Sequence, residues 1–176
     1  MYNGIMEKII KDSGARREFN TGAVRDIQMG KGRCDLMPLK EVGMALGKID
    51  ANGVLAQVDK FMKSGNPEFL AEAIRVFVKN HTKFTLCESM IDVSRHYEQG
   101  ALKYGERNWE KGIPLHSYID SGTRHLLQHL DGKVDEPHDR AFIWNMLGAM
   151  WTMENRKEMV NIPFERLAGD KKEGKK

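Results

Sequence analysis

DEPHDRAFIWNMLGAMWTMEN, residues 135–155, has the pattern of a central buried helix. Two acids and Pro137 open it, as helix starts do. From Ala141 to Trp151 it is apolar almost all round. A helix of that kind is buried on every side, so other helices must surround it. One polar stripe runs along it: His138, Ala141, Asn145, Gly148 and Thr152 share a face at helical spacing. The small residues let a neighbouring helix come close. His138 and Asn145 then need partners inside the bundle, because an unpaired buried polar group costs about 1–3 kcal/mol.

The helices that cover it lie upstream. Residues 115–131 form one, with Gly132 as its stop; Ile119, Thr123, Leu126, Leu127 and Leu130 make its apolar face. Thr85-Leu86-Cys87-Glu88 matches a capping box. The helix it opens, 85–104, carries Leu86, Met90, Val93, Tyr97, Ala101 and Tyr104 on one side and ends at Gly105. Shorter helices are expected at 39–46, at 54–63 before Gly65, and after Asn66-Pro67-Glu68 to about Asn80. No strand alternation and no hairpin signal stands out. The reading is an all-α helical bundle in three parts. Residues 1–38 are an irregular N-terminal segment with phosphate-contact candidates, 39–160 the helical domain, and 161–176 a charged, flexible tail.

Composition bounds the function. The chain has 176 residues, 40% hydrophobic and 30% charged, enough for one self-supporting domain. The net charge is +3, and the last twelve residues, with five basic and three acidic side chains, supply +2 of it. The body is therefore near neutral, which argues against a nucleic-acid partner. No apolar run approaches the ~20 residues of a membrane helix. The start, MYNGIMEKIIKDSG, lacks the apolar stretch of a secretory signal. Cys34 and Cys87 are too few for a disulfide scaffold and are expected as reduced cytosolic thiols used in packing.

Several residues offer chemistry. His138 sits at a helix start beside Asp135, Glu136 and Asp139, where a cation could gather carboxylates; plain N-terminal capping is the competing account. In the preceding helix Asp120 and Arg124 stand four apart, the spacing of an intrahelical ion pair. His125 and His129 share that spacing, which can also hold a metal. His125 points away from its helix's apolar face, so it meets solvent unless a second surface covers it. The loop KYGERNWEKG (103–112) sets Lys103, Arg107 and Lys111 among Glu106, Asn108 and Trp109. Its tryptophan can stack a base or plug the bundle end. GKGRCD (30–35) offers Lys31 and Arg33 on a glycine-flexible backbone, without a Walker pattern.

TGAVRD (21–26) with GKGRCDLMP (30–38), YEQGALKYGERNWEKGIP (97–114), SYIDSGTRHLLQHLDG (117–132) and DEPHDRAFIWNMLGAMWT (135–152) occur in this order. Together they resemble the phage and prophage family of dATP/dGTP diphosphohydrolase-like proteins, related to MazG-type pyrophosphohydrolases. The resemblance covers about residues 21–38 and 84–153. It implies an all-α, MazG-like pyrophosphohydrolase in the cytoplasm of a bacterial host. Such an enzyme uses Mg²⁺ or Mn²⁺ to cut a deoxynucleoside triphosphate between its α and β phosphates, giving the monophosphate and pyrophosphate. On this resemblance and the local chemistry, Glu98, Asp120, Glu136 and His138 would hold the metal. His125, with Asp120, would position or deprotonate water. Lys31, Arg33, Lys103 and Arg124 would contact phosphates, and Asn108 and Trp109 the base or sugar. A homo-oligomer is expected, because the last helix has more apolar surface than a small monomer covers. The sequence departs from the MazG pattern in one respect: no Glu-x-x-Glu occurs in 115–131, and Glu136 and Asp139 are three apart only at the start of the last helix. That departure keeps open a non-catalytic nucleotide-binding or interaction module on the same fold.

Overall fold

The computed structural model of the chain describes residues 14–50 and 52–164. Six helices build it: α1 (Leu39–Leu46), α2 (Val54–Ser64), α3 (Glu68–His81), α4 (Leu86–Tyr104), α5 (Leu115–Leu130) and α6 (His138–Asn155). Each lies within a residue or two of its expected bounds, because each end carries its own stop or start. Thr85 Oγ1 accepts from the Glu88 N–H while the Glu88 carboxylate accepts from the Thr85 N–H, so the capping box at α4 is complete. Asn66 Oδ1 accepts from the Glu68 N–H at 3.0 Å, with Pro67 between them. Asp50 caps α2, taking the N–H groups of Val54 and Leu55 at 3.0 and 3.2 Å.

α6 is the central helix and packs on α3, α4 and α5. Ten of its 18 residues are buried, including the whole stripe of His138, Ala141, Asn145, Gly148 and Thr152. α5 runs antiparallel to it, and the small residues set the closeness of the pair. A β-carbon on Gly148 would collide with the Tyr118 ring, and one on Gly122 would meet Asn145 Cβ at 3.1 Å. α2 and α3 form a second layer whose core residues include Phe61, Leu70 and Phe77; Phe77 stands edge-on to Phe142 of α6 at 4.7 Å between ring centres.

Four expectations are corrected. The N-terminal segment contains a hairpin, β1 (Arg16–Glu18) antiparallel to β2 (Val24–Asp26), with Arg17 opposite Arg25. Its strands show no alternation because side chains from the helices hold it, not a buried sheet face. Asn108 exchanges two hydrogen bonds with the Val24 backbone, at 2.9 and 2.8 Å. Thr21 Oγ1 donates to Gly112 O at 2.6 Å, and Tyr104 Oη donates to Asp26 at 2.8 Å. The tail begins later than expected, since Ile162 and Phe164 are buried and Phe164 packs edge-on to Phe61; residues 165–176 lie outside the described residues. Cys87 is exposed on the first turn of α4, so it does no packing, while Cys34 is half-buried. The apolar face of α4 is mostly half-covered: Leu86 is exposed, and of its six residues only Val93 is fully buried. The reason is that the C-terminal half of α4 borders a cavity. Among the described residues no helix is long and apolar enough to cross a membrane.

Candidate metal centre and nucleotide cavity

Just past the end of α5, Gly132, with a φ of 72°, turns the chain back toward the helix it has just left. The return brings Glu136 and the first residue of α6 against the side of α5 that carries His125. His125 Nδ1 lies 3.0 Å from His138 Nδ1. Glu136 Oε1 lies 3.8 Å from the first nitrogen and 3.7 Å from the second. All three donor atoms fall within 4.8 Å of one another. His138 Nε2 meets the Asp135 carboxylate at 2.9 Å. A carboxylate only accepts, so Nε2 carries a proton and Nδ1 is the nitrogen that faces the cluster. This carboxylate–imidazole pairing is how metal-binding histidines are oriented. Burial, and then the neighbouring His138, His96, Arg124 and Arg25, holds His125 well below the ordinary imidazole range, so it is neutral at pH 7.

The three groups fit one ion. Donors each about 2.0–2.2 Å from a shared centre lie within roughly 4.4 Å of each other. Two imidazoles and a carboxylate suit Mn²⁺ and softer first-row ions better than Mg²⁺, which prefers oxygen.

The cluster opens, through His125 and Glu136, on a cavity of about 1360 Å³. β2, the C-terminal half of α4, residues 106–110, α5 and α6 wall it. Tyr97, Trp109 and Trp144 give it flat apolar faces; Arg25, Lys31, Arg107 and Arg124 stand in its wall among a larger number of carboxylates. Trp109 packs edge-on to Tyr97 and Trp151, at 5.7 and 4.8 Å between ring centres, so it plugs the bundle end and lines the cavity at once.

Of the residues singled out from sequence, Lys31, Glu98, Asn108, Trp109, Arg124, His125 and Glu136 line this cavity. His138 joins through the cluster. Glu98 is exposed on α4 and stands apart from the His125–Glu136–His138 group. Asp120 is fully buried and its oxygens are taken: Gln28 Nε2 donates at 2.6 Å, the Cys34 N–H at 2.7 Å, and Arg124 as the intrahelical pair. Arg124 also donates to Lys31 O at 3.0 Å, which fixes the glycine-rich loop. Lys103 pairs with Asp26 at 2.9 Å, and Arg33 pairs with Asp35. Asn108 spends its amide on Val24. His129 turns to His81 O at 2.9 Å, away from His125.

Asp135, named from sequence only as one of the carboxylates beside His138, is the partner that orients that ring. Two further residues escaped sequence reading. His96 lines the cavity beside Trp144; burial, with Arg140, Arg25 and Lys103, pushes its pKa down to about 3. Arg25 enters from β2, which no local pattern announced.

The profile of the family described as dATP/dGTP diphosphohydrolase, N-terminal, matches residues 78–162. Over this stretch the chain is similar to the N-terminal part of dATP/dGTP diphosphohydrolases. It runs from the end of α3 past α6 and holds the whole His125–Glu136–His138 group. The family's name points to hydrolysis of dATP and dGTP in general terms. β2 and the 30–38 segment, which bring Arg25 and Lys31, lie before the match. No curated protein and no solved structure matches the chain.

Proposed function

We propose that the protein is a metal-dependent hydrolase of dATP and dGTP that releases the deoxynucleoside monophosphate and pyrophosphate. The observation that carries this reading is the His125–Glu136–His138 group opening on a large cavity that carries aromatic faces and the side chains of Lys31 and Arg124. His125, Glu136 and His138 hold the ion, Mn²⁺ in preference to Mg²⁺ on donor chemistry. When bound, such an ion polarises phosphoryl oxygens and makes water acidic enough to attack near neutral pH. Asp135 keeps the His138 tautomer. Lys31 and Arg124 face the phosphates, and Trp109 offers a ring to the purine. Asp120 positions the 28–34 loop, and with it Lys31, through its three hydrogen bonds.

The chain acts as a homo-oligomer in this reading, supported by Ile91 and Leu102, both exposed on α4; light scattering should give a multiple of 20.1 kDa. Its place is the cytoplasm of a bacterial host, encoded by a phage or prophage; the unpaired Cys34 and Cys87 agree with a reducing compartment.

The test is incubation with each dNTP and NTP, with Mn²⁺, Mg²⁺ or a chelator, and chromatography of the products. Purine deoxynucleoside monophosphate plus pyrophosphate, abolished by chelator, is expected. Diphosphate plus phosphate, or no product, overturns the reading. The missing Glu-x-x-Glu in α5 favours the rival, a non-catalytic nucleotide-binding module; it would bind nucleotide and turn none over.

A further inference from the structure

Arg25 is a cation without a counter-ion. Its guanidinium reaches from β2 across the cavity wall and donates only to neutral acceptors, Ser117 O at 3.3 Å and Asn145 Oδ1 at 3.0 Å. It lies 5.4 Å from the centres of both the Tyr118 and Trp144 rings. Among the described residues no carboxylate pairs with it. The adjacent Asp26 is taken by Arg16, Lys103 and Tyr104. Asp120 is taken by Gln28, Cys34 and Arg124. Burial lowers the Arg25 pKa, a sign of how poorly solvated the charge is. Removing a charge from water without a partner is costly, and folded proteins pair such groups. Arg25 lines the cavity, and a counter-ion can reach it from there.

The position says which part of a substrate that is. Asn145, which holds Arg25, follows His138 by seven residues on one face of α6, about 10 Å along the axis. A nucleoside triphosphate engaged at the metal centre extends away from it in two directions. One end is the base, which carries no charge. The other is the β and γ phosphates, which carry most of it.

We infer that Arg25 is the counter-ion of the β,γ-phosphate end and holds the pyrophosphate as it leaves. This rests on the reading under Proposed function. In that reaction the oxygen of water joins the α-phosphorus, and the bond from that phosphorus to the bridging oxygen breaks. The electron pair leaves on pyrophosphate, and the protons of water pass to solvent. The added charge on the bridging oxygen is what Arg25 offsets. The hairpin outside the family match therefore completes the site.

Calorimetry in chelator separates this from a structural role, with inorganic pyrophosphate and dGMP as the probes. The wild type should bind pyrophosphate. Arg25→Met should bind it at least tenfold more weakly and Arg25→Lys by an intermediate amount, while dGMP affinity stays within twofold in all three. Pyrophosphate should raise the Tm of the wild type and leave that of Arg25→Met unchanged. If Arg25→Met fails to fold, as circular dichroism would show, Arg25→Lys carries the same comparison. Equal pyrophosphate affinity in wild type and variants overturns the assignment, and so does a loss of dGMP affinity as large as that for pyrophosphate. An Arg25-dependent pyrophosphate site in a protein that hydrolyses no nucleotide supports the anion subsite and removes the reaction instead.

Discussion

At the residue scale the site turns on where protons sit. Asp135 holds a proton of His138 on Nε2, and burial keeps His125 neutral, so a metal ion replaces the proton shared between the two Nδ1 atoms rather than a charge on either ring. Asp135→Ala should therefore weaken Mn²⁺ binding by about 10–100-fold without touching a ligand. Glu136→Gln should weaken it further and abolish turnover. Calorimetric Mn²⁺ titration, with circular dichroism to confirm the fold, checks both; unchanged Mn²⁺ affinity in Glu136→Gln would falsify the cluster as a metal centre. His96 gives a pH prediction. Its folded pKa of about 3 lies below the 6.5 of the free imidazole, so the unfolded chain binds the proton first. The stabilisation is complete above pH 6.5 and drains away as the pH falls toward 3. Between pH 7 and 4.5 the wild type should lose about 1–3 kcal/mol more than His96→Gln in urea unfolding. His125 is shifted in the same direction, so the variant keeps part of the slope.

At the element scale, the α5–α6 contact decides stability and the site together, because it sets the distance between His125 and His138. Gly148→Ala would drive a methyl group into the Tyr118 ring. It should cost about 1–3 kcal/mol, read as a lower Tm. Gly100→Ala on α4 is the matched control: nothing lies within 4 Å of its added β-carbon, and it should stabilise by about 0.5–1 kcal/mol. The ends of these helices were legible because capping is local chemistry; Thr85, Glu88, Asn66 and Gly105 each act within a turn of their own position. The packing face of α4 was less legible. Tyr97, Ala101 and Tyr104 recur as core residues would, yet they line a cavity, and periodicity cannot tell a core from a cavity wall.

At the scale of the whole molecule, the N-terminal segment is fastened to the bundle by polar contacts more than by burial; Ala23 is its one fully buried apolar residue among those described before Pro38. Asn108→Ala would strand the N–H and C=O of Val24 and should cost about 1–3 kcal/mol. Hydrogen exchange should rise over residues 16–26 while α5 and α6 stay protected; uniform loss of protection would show the hairpin to be part of the core.

The helices, their stops, the central place of α6 and the candidacy of His125, Glu136 and His138 are all legible in the chain, since spacing and capping act over a few residues. Which of those candidates meet depends on how the helices pack. Asp120, Lys103 and Arg33 found partners far along the chain or beside them, and those partners took up their charge. Arg25, 120 residues before the Asn145 that holds it, was left without one. Charge compensation depends on distance in space, and local sequence patterns carry no information about it.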